Sequence, residues 1–111
     1  MSKKIKVIVA RVGQDPVVEE IDDTLEAMQE IVGGYIECVR LSPTVDMWLN
    51  EEGRLTGLPF NRLVPDVHGN QWDILGNLFL TSHDDEGEIT SLSADDLTVW
   101  MDRIKGAPTS L

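Results

Sequence analysis

Five polar residues in the middle of the chain offer the most chemistry: Tyr35, Glu37, Asn50, Asn61 and Arg62. Tyr35 and Glu37 stand two apart in a β-rich stretch, so their side chains share one face of a strand. With Asn50, Asn61 and Arg62 close by, they would form a small polar pocket. Arg62 would grip a carboxylate or phosphate through its two-pronged guanidinium. The plainer reading is that Asn50, Asn61 and Arg62 organise loops, with Arg62 bridging Glu37 or Glu51. The residue types favour this plainer reading.

Other chemistry-bearing residues fit ordinary roles better. His83-Asp84-Asp85-Glu86-Gly87-Glu88 has metal-type side chains but no twelve-residue calcium loop, and it reads as a solvated hairpin tip. His68 stands alone beside Gly69 and is expected at the surface. Cys38, His68 and His83 follow no zinc-ligand spacing. Cys38 lies in a strand-like stretch between Glu37 and Val39, and plain burial is its expected state. Gly33-Gly34 follows a helix instead of opening one, the wrong polarity for a phosphate loop. No catalytic residue, metal or cofactor is expected.

Charge is the main compositional fact: nine basic against twenty acidic residues, a formal net charge of −11 in 111 residues. Lys3, Lys4, Lys6 and Arg11 precede the first acid, so the remaining hundred residues carry five bases against twenty acids. Glu19, Glu20, Asp22, Asp23, Glu26 and Glu30 then make an acidic ridge on and before the first helix. A row of carboxylates resembles the phosphates of a nucleic acid. Such a surface repels nucleic acids and anionic membranes and attracts basic protein surfaces. Solubility is the bland explanation for the same balance.

The elements that position these residues follow from periodicity and punctuation. Residues 4–12 and 17–21 read as a hairpin of two strands around Gly13-Gln14-Asp15-Pro16. Asp23-Thr24-Leu25-Glu26 opens a helix like a capping box. Its buried stripe is Leu25, Met28 and Val32 with Ile31, and Gly33-Gly34 ends it. Strands follow at 35–41 and 45–49, and residues 54–58 pair back across a turn at Asn50-Glu51-Glu52-Gly53. The stretch 59–71, with Pro59, Pro65 and Gly69, reads as irregular. Residues 72–82 form one strand interrupted at Gly76, and 88–92 returns. Ser93 caps a second helix with the stripe Leu97, Trp100, Met101 and Ile104, and the tail 107–111 is frayed. The sum is one α+β domain over residues 1–106, with a mainly antiparallel or mixed sheet and two helices. Its first half runs strand–strand–helix–strand–strand, the order of a β-grasp unit. The longest apolar run, Val7-Ile8-Val9-Ala10, is far short of the roughly 20 residues that cross a bilayer. The basic start Met1-Ser2-Lys3-Lys4 lacks a signal peptide's apolar stretch, and a single cysteine suits a reducing cytoplasm.

An ordered set of motifs runs along the chain. Leu25-Glu26-x-Met28-Gln29-x-Ile31-Val32-Gly33-Gly34-Tyr35-Ile36-Glu37 comes first, then Asn50-Glu51-Glu52-Gly53. Leu58-Pro59-x-Asn61-Arg62, Asp73-Ile74-x-Gly76 and Thr90-Ser91-Leu92-Ser93 complete it. Over about residues 4–104 this succession resembles a family of small proteins carried by bacteriophages, plasmids and other mobile elements, catalogued as a domain of unknown function. The resemblance implies an accessory protein in the bacterial cytoplasm and brings no reaction, ligand or catalytic residue. The leading expectation is a non-enzymatic protein that binds a basic host or phage protein, in counter-defence or regulation. The alternative is a small-ligand or nucleotide-binding protein, even an enzyme, with its pocket at Tyr35, Glu37, Asn61 and Arg62. A homodimer paired through edge strands is the third.

Overall fold

A computed structural model describes residues 3–110; Met1 and Ser2 of the basic start and Leu111 of the tail lie outside the described residues. Ten elements follow in order: β1 Lys4–Ala10, β2 Val17–Asp22, α1 Leu25–Val32, β3 Ile36–Arg40, β4 Asp46–Asn50, β5 Phe60–Pro65, β6 Gln71–Leu75, β7 Leu78–His83, β8 Ile89–Thr90 and α2 Ala94–Gly106. The main sheet runs β2-β1-β7-β4-β3, with β8 on the end of β7, and every pairing is antiparallel. β5 and β6 form a separate two-stranded sheet. The β1–β2 hairpin is as read from the sequence. β1 and β4 do not touch as neighbours, because β7 lies between them.

Both faces of the main sheet are covered, which explains the apolar run in β1. Ile5, Val7 and Val9 point to one side and pack with Phe79 of β7 and Met28 and Val32 of α1. Ile8 and Ala10 point to the other, where Leu78, Leu80, Met47, Val64, Ile74, Trp100 and Ile104 meet. α1 therefore covers one face, while α2 and the β5–β6 hairpin cover the opposite one. Burying one leucine- or isoleucine-sized side chain contributes about 1.5–3 kcal/mol, so these two clusters dominate the stability.

Helix boundaries follow local chemistry, with corrections. Thr24, not Asp23, caps α1: its Oγ1 accepts from the Ala27 N–H at 3.2 Å. The cap sits one residue later than expected, so Glu26 falls outside the capping-box position and Leu25, at 55% exposure, leaves the buried stripe. Gly33 ends the helix at φ 80°, and the N–H groups of Gly33 and Gly34 both reach Gln29 O. Ser93 caps α2 through the Asp96 N–H at 3.1 Å, and Trp100 and Ile104 are its buried anchors.

Four segments differ from expectation. Residues 54–58 form turns, not a strand, with the Thr56 and Leu58 N–H groups donating to Glu52 O and Gly53 O. The stretch read as irregular is the β5–β6 hairpin, turned at residues 66–70. Residues 72–82 are two strands in two sheets. At their junction Gly76, φ 83°, donates to Pro59 O, and a Cβ there would come within 2.7 Å of a Leu58 methyl. The tail is anchored at Pro108, whose carbonyl accepts from the Leu63 N–H at 2.9 Å.

Asp66 holds the β5–β6 turn. Its carboxylate accepts from the His68 and Asn70 N–H groups at 2.8 and 3.0 Å and from the Trp72 indole at 3.0 Å. The indole first, then the backbone donors, keep the Asp66 carboxyl below its ordinary value, against a smaller desolvation effect. A depressed carboxyl stabilises the turn above the ordinary carboxyl range and loses that contribution as pH falls through its folded value. Acid titration should therefore move the Trp72 indole N–H resonance below the ordinary carboxyl range, and Asp66→Asn should abolish that step.

Candidate functional site

Asn61 and Arg62 open β5 and are both buried, Arg62 to 2% exposure. Asn61 donates to Ala10 O and Gly76 O, each at 2.9 Å, and its Oδ1 accepts from Arg62 Nε at 2.9 Å. The Arg62 guanidinium also donates to Ile104 O at 2.7 Å and Gln14 O at 3.0 Å. It joins the C-terminal end of α2, where a helix presents partial negative charge, to the β1–β2 turn. Burial lowers its pKa from the ordinary value, and the nearby Asp15 carboxylate opposes this. Neither Glu37 nor Glu51 is its partner, which corrects the expected bridge: β5 faces α2 and the β1–β2 turn, away from β3.

Glu37 and Asn50 belong elsewhere. They line a cleft of about 260 Å³ with Arg54, Trp72 and Asp73, while Asn61 and Arg62 border a different one beside Gln14 and Lys105. Asn50 is buried and serves its own loop: Nδ2 donates to Val32 O at 3.1 Å and Oδ1 accepts the Glu52 N–H at 2.7 Å. Tyr35 stands 65% exposed ahead of β3. The five residues are not brought into one pocket. Among the described residues, no buried side-chain nitrogen or oxygen lacks a hydrogen-bond partner.

The acidic ridge is divided by the pleat of β2. Glu19 faces the α1 side and is ion-paired with Arg11. Glu20 and Asp22 face the α2 side, opposite Lys6 and Lys4, and Lys4 Nζ lies 2.7 Å from Asp22. Lys4 of β1 and Arg11 just after it are thus ion-paired with Asp22 and Glu19, while Lys6 stands opposite Glu20 without pairing to it. Among the described residues Glu20, Asp23, Glu26 and Glu30 have no ion-pair partner. They leave free carboxylates on both sides of this sheet edge, Glu20 on the α2 side and Glu26 and Glu30 on α1.

A third grouping escapes a reading from sequence. On the sheet face that carries α1, β3, β4 and β7 bring together Arg40, Asp46 and His83. Asp46 is buried, with Oδ2 at 2.7 Å from His83 Nδ1 and Oδ1 at 3.4 Å from Arg40 Nε. Beside it the Trp48 indole donates to the buried Thr81 hydroxyl at 2.9 Å. His83 does not belong to the solvated tip: it ends β7 and shares the Thr81 side chain's face. The period-two alternation Phe79, Thr81, His83 is the signal that could have found it.

Cys38 lies on this same face. It is exposed, which corrects its expected burial: β3 is the sheet's edge. Its thiol is nevertheless pushed up to about 11, by desolvation first and the Asp46 carboxylate second, with Arg40 opposing. An Asp–His pair orients an imidazole well, but the neighbouring sulfur is a neutral thiol at pH 7. Alkylation of Cys38 by iodoacetamide should be slow at neutral pH and rise toward a midpoint near 11. A midpoint near the free-thiol value would contradict this environment. Among the described residues no group of three His, Cys, Asp or Glu side chains could hold a metal ion, and no helix is long and apolar enough to cross a membrane.

Fold and surface together define a small α+β sheet protein, two helices on opposite faces, whose conspicuous polar residues mostly bond the chain to itself. The chain belongs to the family described as domain of unknown function DUF3846, which it matches over residues 5–105. No curated protein and no solved structure matches it.

Proposed function

We propose that the chain is a non-enzymatic interaction protein of a phage or other mobile element, acting in the bacterial cytoplasm on a host or phage protein with a basic surface. The observation that carries this reading is the set Glu20, Asp23, Glu26 and Glu30, free of ion pairs around the β2 edge of a chain of net charge −11. Glu19 and Asp22 contribute less, being matched by Arg11 and Lys4. Such a field steers a cationic partner and disfavours nucleic acid and anionic membrane. Counter-defence or regulation would follow from occupying that partner's basic surface. The small-ligand alternative lacks its main anchor, since Arg62 and Asn61 donate to backbone carbonyls and to each other.

The test is capture of partners from host cytosol, followed by titration of the purified partner at low and high salt. Binding should weaken steeply with salt, and Glu20, Asp23, Glu26 and Glu30 all changed to Lys should lose about a hundred-fold or more in affinity. Salt-independent binding that survives the four reversals would reject the acidic surface.

A further inference from the structure

We infer that β2 is a docking edge, at which the partner adds an extended basic segment as a further strand of the sheet. This rests on the interaction reading above and names its mode. β2 is the last strand of the main sheet on its side. The Asp23 N–H donates to Lys3 O, and the pairing continues from Lys4↔Asp22 to Val9↔Val17. In an antiparallel ladder the hydrogen-bonded pairs alternate, so residues 17, 19 and 21 bond to β1. The N–H and C=O groups of Val18, Glu20 and Asp22 therefore point away from the sheet. Among the described residues nothing engages them. They form a ready template for strand addition.

Two other edges are partly engaged. The β5–β6 turn caps β3 where the Val67 N–H donates to Arg40 O at 2.9 Å. The outer side of β5 bonds the tail through Leu63 and Pro108 and ends in Pro65, which has no N–H to offer. β2 is also unusually apolar for an exposed edge, with Val17 43% and Val18 48% exposed. Val18 lines a shallow groove with Leu97, Val99 and Met101 of α2. An added strand would cover that groove.

The occupant is specified by charge. β1 already shows what pairs with β2 from the inner side: Lys4 and Lys6 stand opposite Asp22 and Glu20, and Ile8 opposite Val18. The outer side asks for the same pattern, cationic residues opposite the acids and apolar ones opposite Val18 and the groove. A second copy of this chain does not supply it. Two-fold pairing centred anywhere from Glu19 to Asp22 sets carboxylates directly opposite each other, which destabilises a ladder. Centring on Val18 sets Pro16, without an N–H, against Glu20.

The probe is an acetylated peptide of about eight residues, long enough for one strand, whose one face carries Lys, Lys and Val in the order of Lys4, Lys6 and Ile8 in β1, with a Glu-for-Lys version as control. Amide exchange of Val18, Glu20 and Asp22 should slow when the basic peptide is added, and the acidic peptide should do nothing. Val18→Pro removes one outward N–H without touching the β1 ladder and should weaken the peptide about ten-fold or more. If Val18→Pro fails to fold, Glu20→Pro removes the neighbouring outward N–H, and the exchange measurement on the unaltered chain decides alone. Four results overturn the inference: no binding at millimolar peptide, no protection of the three amides, indifference to the proline changes, or self-association lost with Val18→Pro. Partner binding that needs the free carboxylates but ignores Val18→Pro would sink the docking edge and leave the interaction reading standing.

Discussion

Arg62→Ala should lower the stability of the fold by about 3–5 kcal/mol, the cost of leaving three acceptors without their charged donor. The argument is one of uncompensated oxygens. Arg62 gives its guanidinium to Asn61 Oδ1, Ile104 O and Gln14 O, and the side chain is buried. Truncation leaves those acceptors without their charged donor, and hydrogen bonds to charged groups contribute about 1.5–3 kcal/mol each. The three acceptors belong to β5, α2 and the β1–β2 turn, so the loss loosens the packing of α2 against the sheet. At roughly 4 °C per kcal/mol for a domain of this size, the melting temperature should fall about 12–20 °C. Arg62→Lys should restore only part of this, because one ammonium cannot reach both carbonyls and Asn61 in the same geometry. A drop under about 1 kcal/mol would show the clamp to be dispensable.

Phe79→Ala should cost a similar amount, about 3–5 kcal/mol, through a cavity at the middle of the sheet. Phe79 is fully buried in β7, opposite Val9 on one side and Trp48 on the other. Its ring stacks on the Trp48 indole with centroids 6.2 Å apart and planes inclined by 15°. Removing it also frees Trp48, whose indole N–H is tied to Thr81 next to Asp46 and His83. Thermal unfolding reads the stability loss, and the Trp48 indole resonance should shift in the folded state. An unchanged melting temperature would mean that α1 collapses to fill the space.

The structure also shows which features a sequence reading can reach. α2 was legible because one face alternates apolar residues at helical spacing between a serine cap and cations in the last turn. The β1–β2 hairpin was legible because its turn carries Gly13 and Pro16 between two β-branched runs. The β5–β6 hairpin was hidden by Pro59, Pro65 and Gly69, which look like breaks but stand at strand ends and in the turn. Asn61 and Arg62 were singled out, but their role depends on which carbonyls lie within reach, and those come from residues 10, 14, 76 and 104. The Asp46–His83 contact joins residues 37 apart and could be seen only once β4 and β7 were known to be neighbours. The acidic run was legible as composition. Its division into matched and unmatched carboxylates needed the β1–β2 register.

The place of β7 has a consequence for synthesis. β1 and β4 leave the ribosome long before the strand that joins them, since β7 begins at Leu78. Until then the nascent chain can make the β1–β2, β3–β4 and β5–β6 hairpins, the first two each with an apolar face and an unpaired inner border. Completion of the sheet therefore waits on a late, long-range insertion, which is slow compared with local pairing. The interval before it is when this chain is most exposed to sticking to other chains.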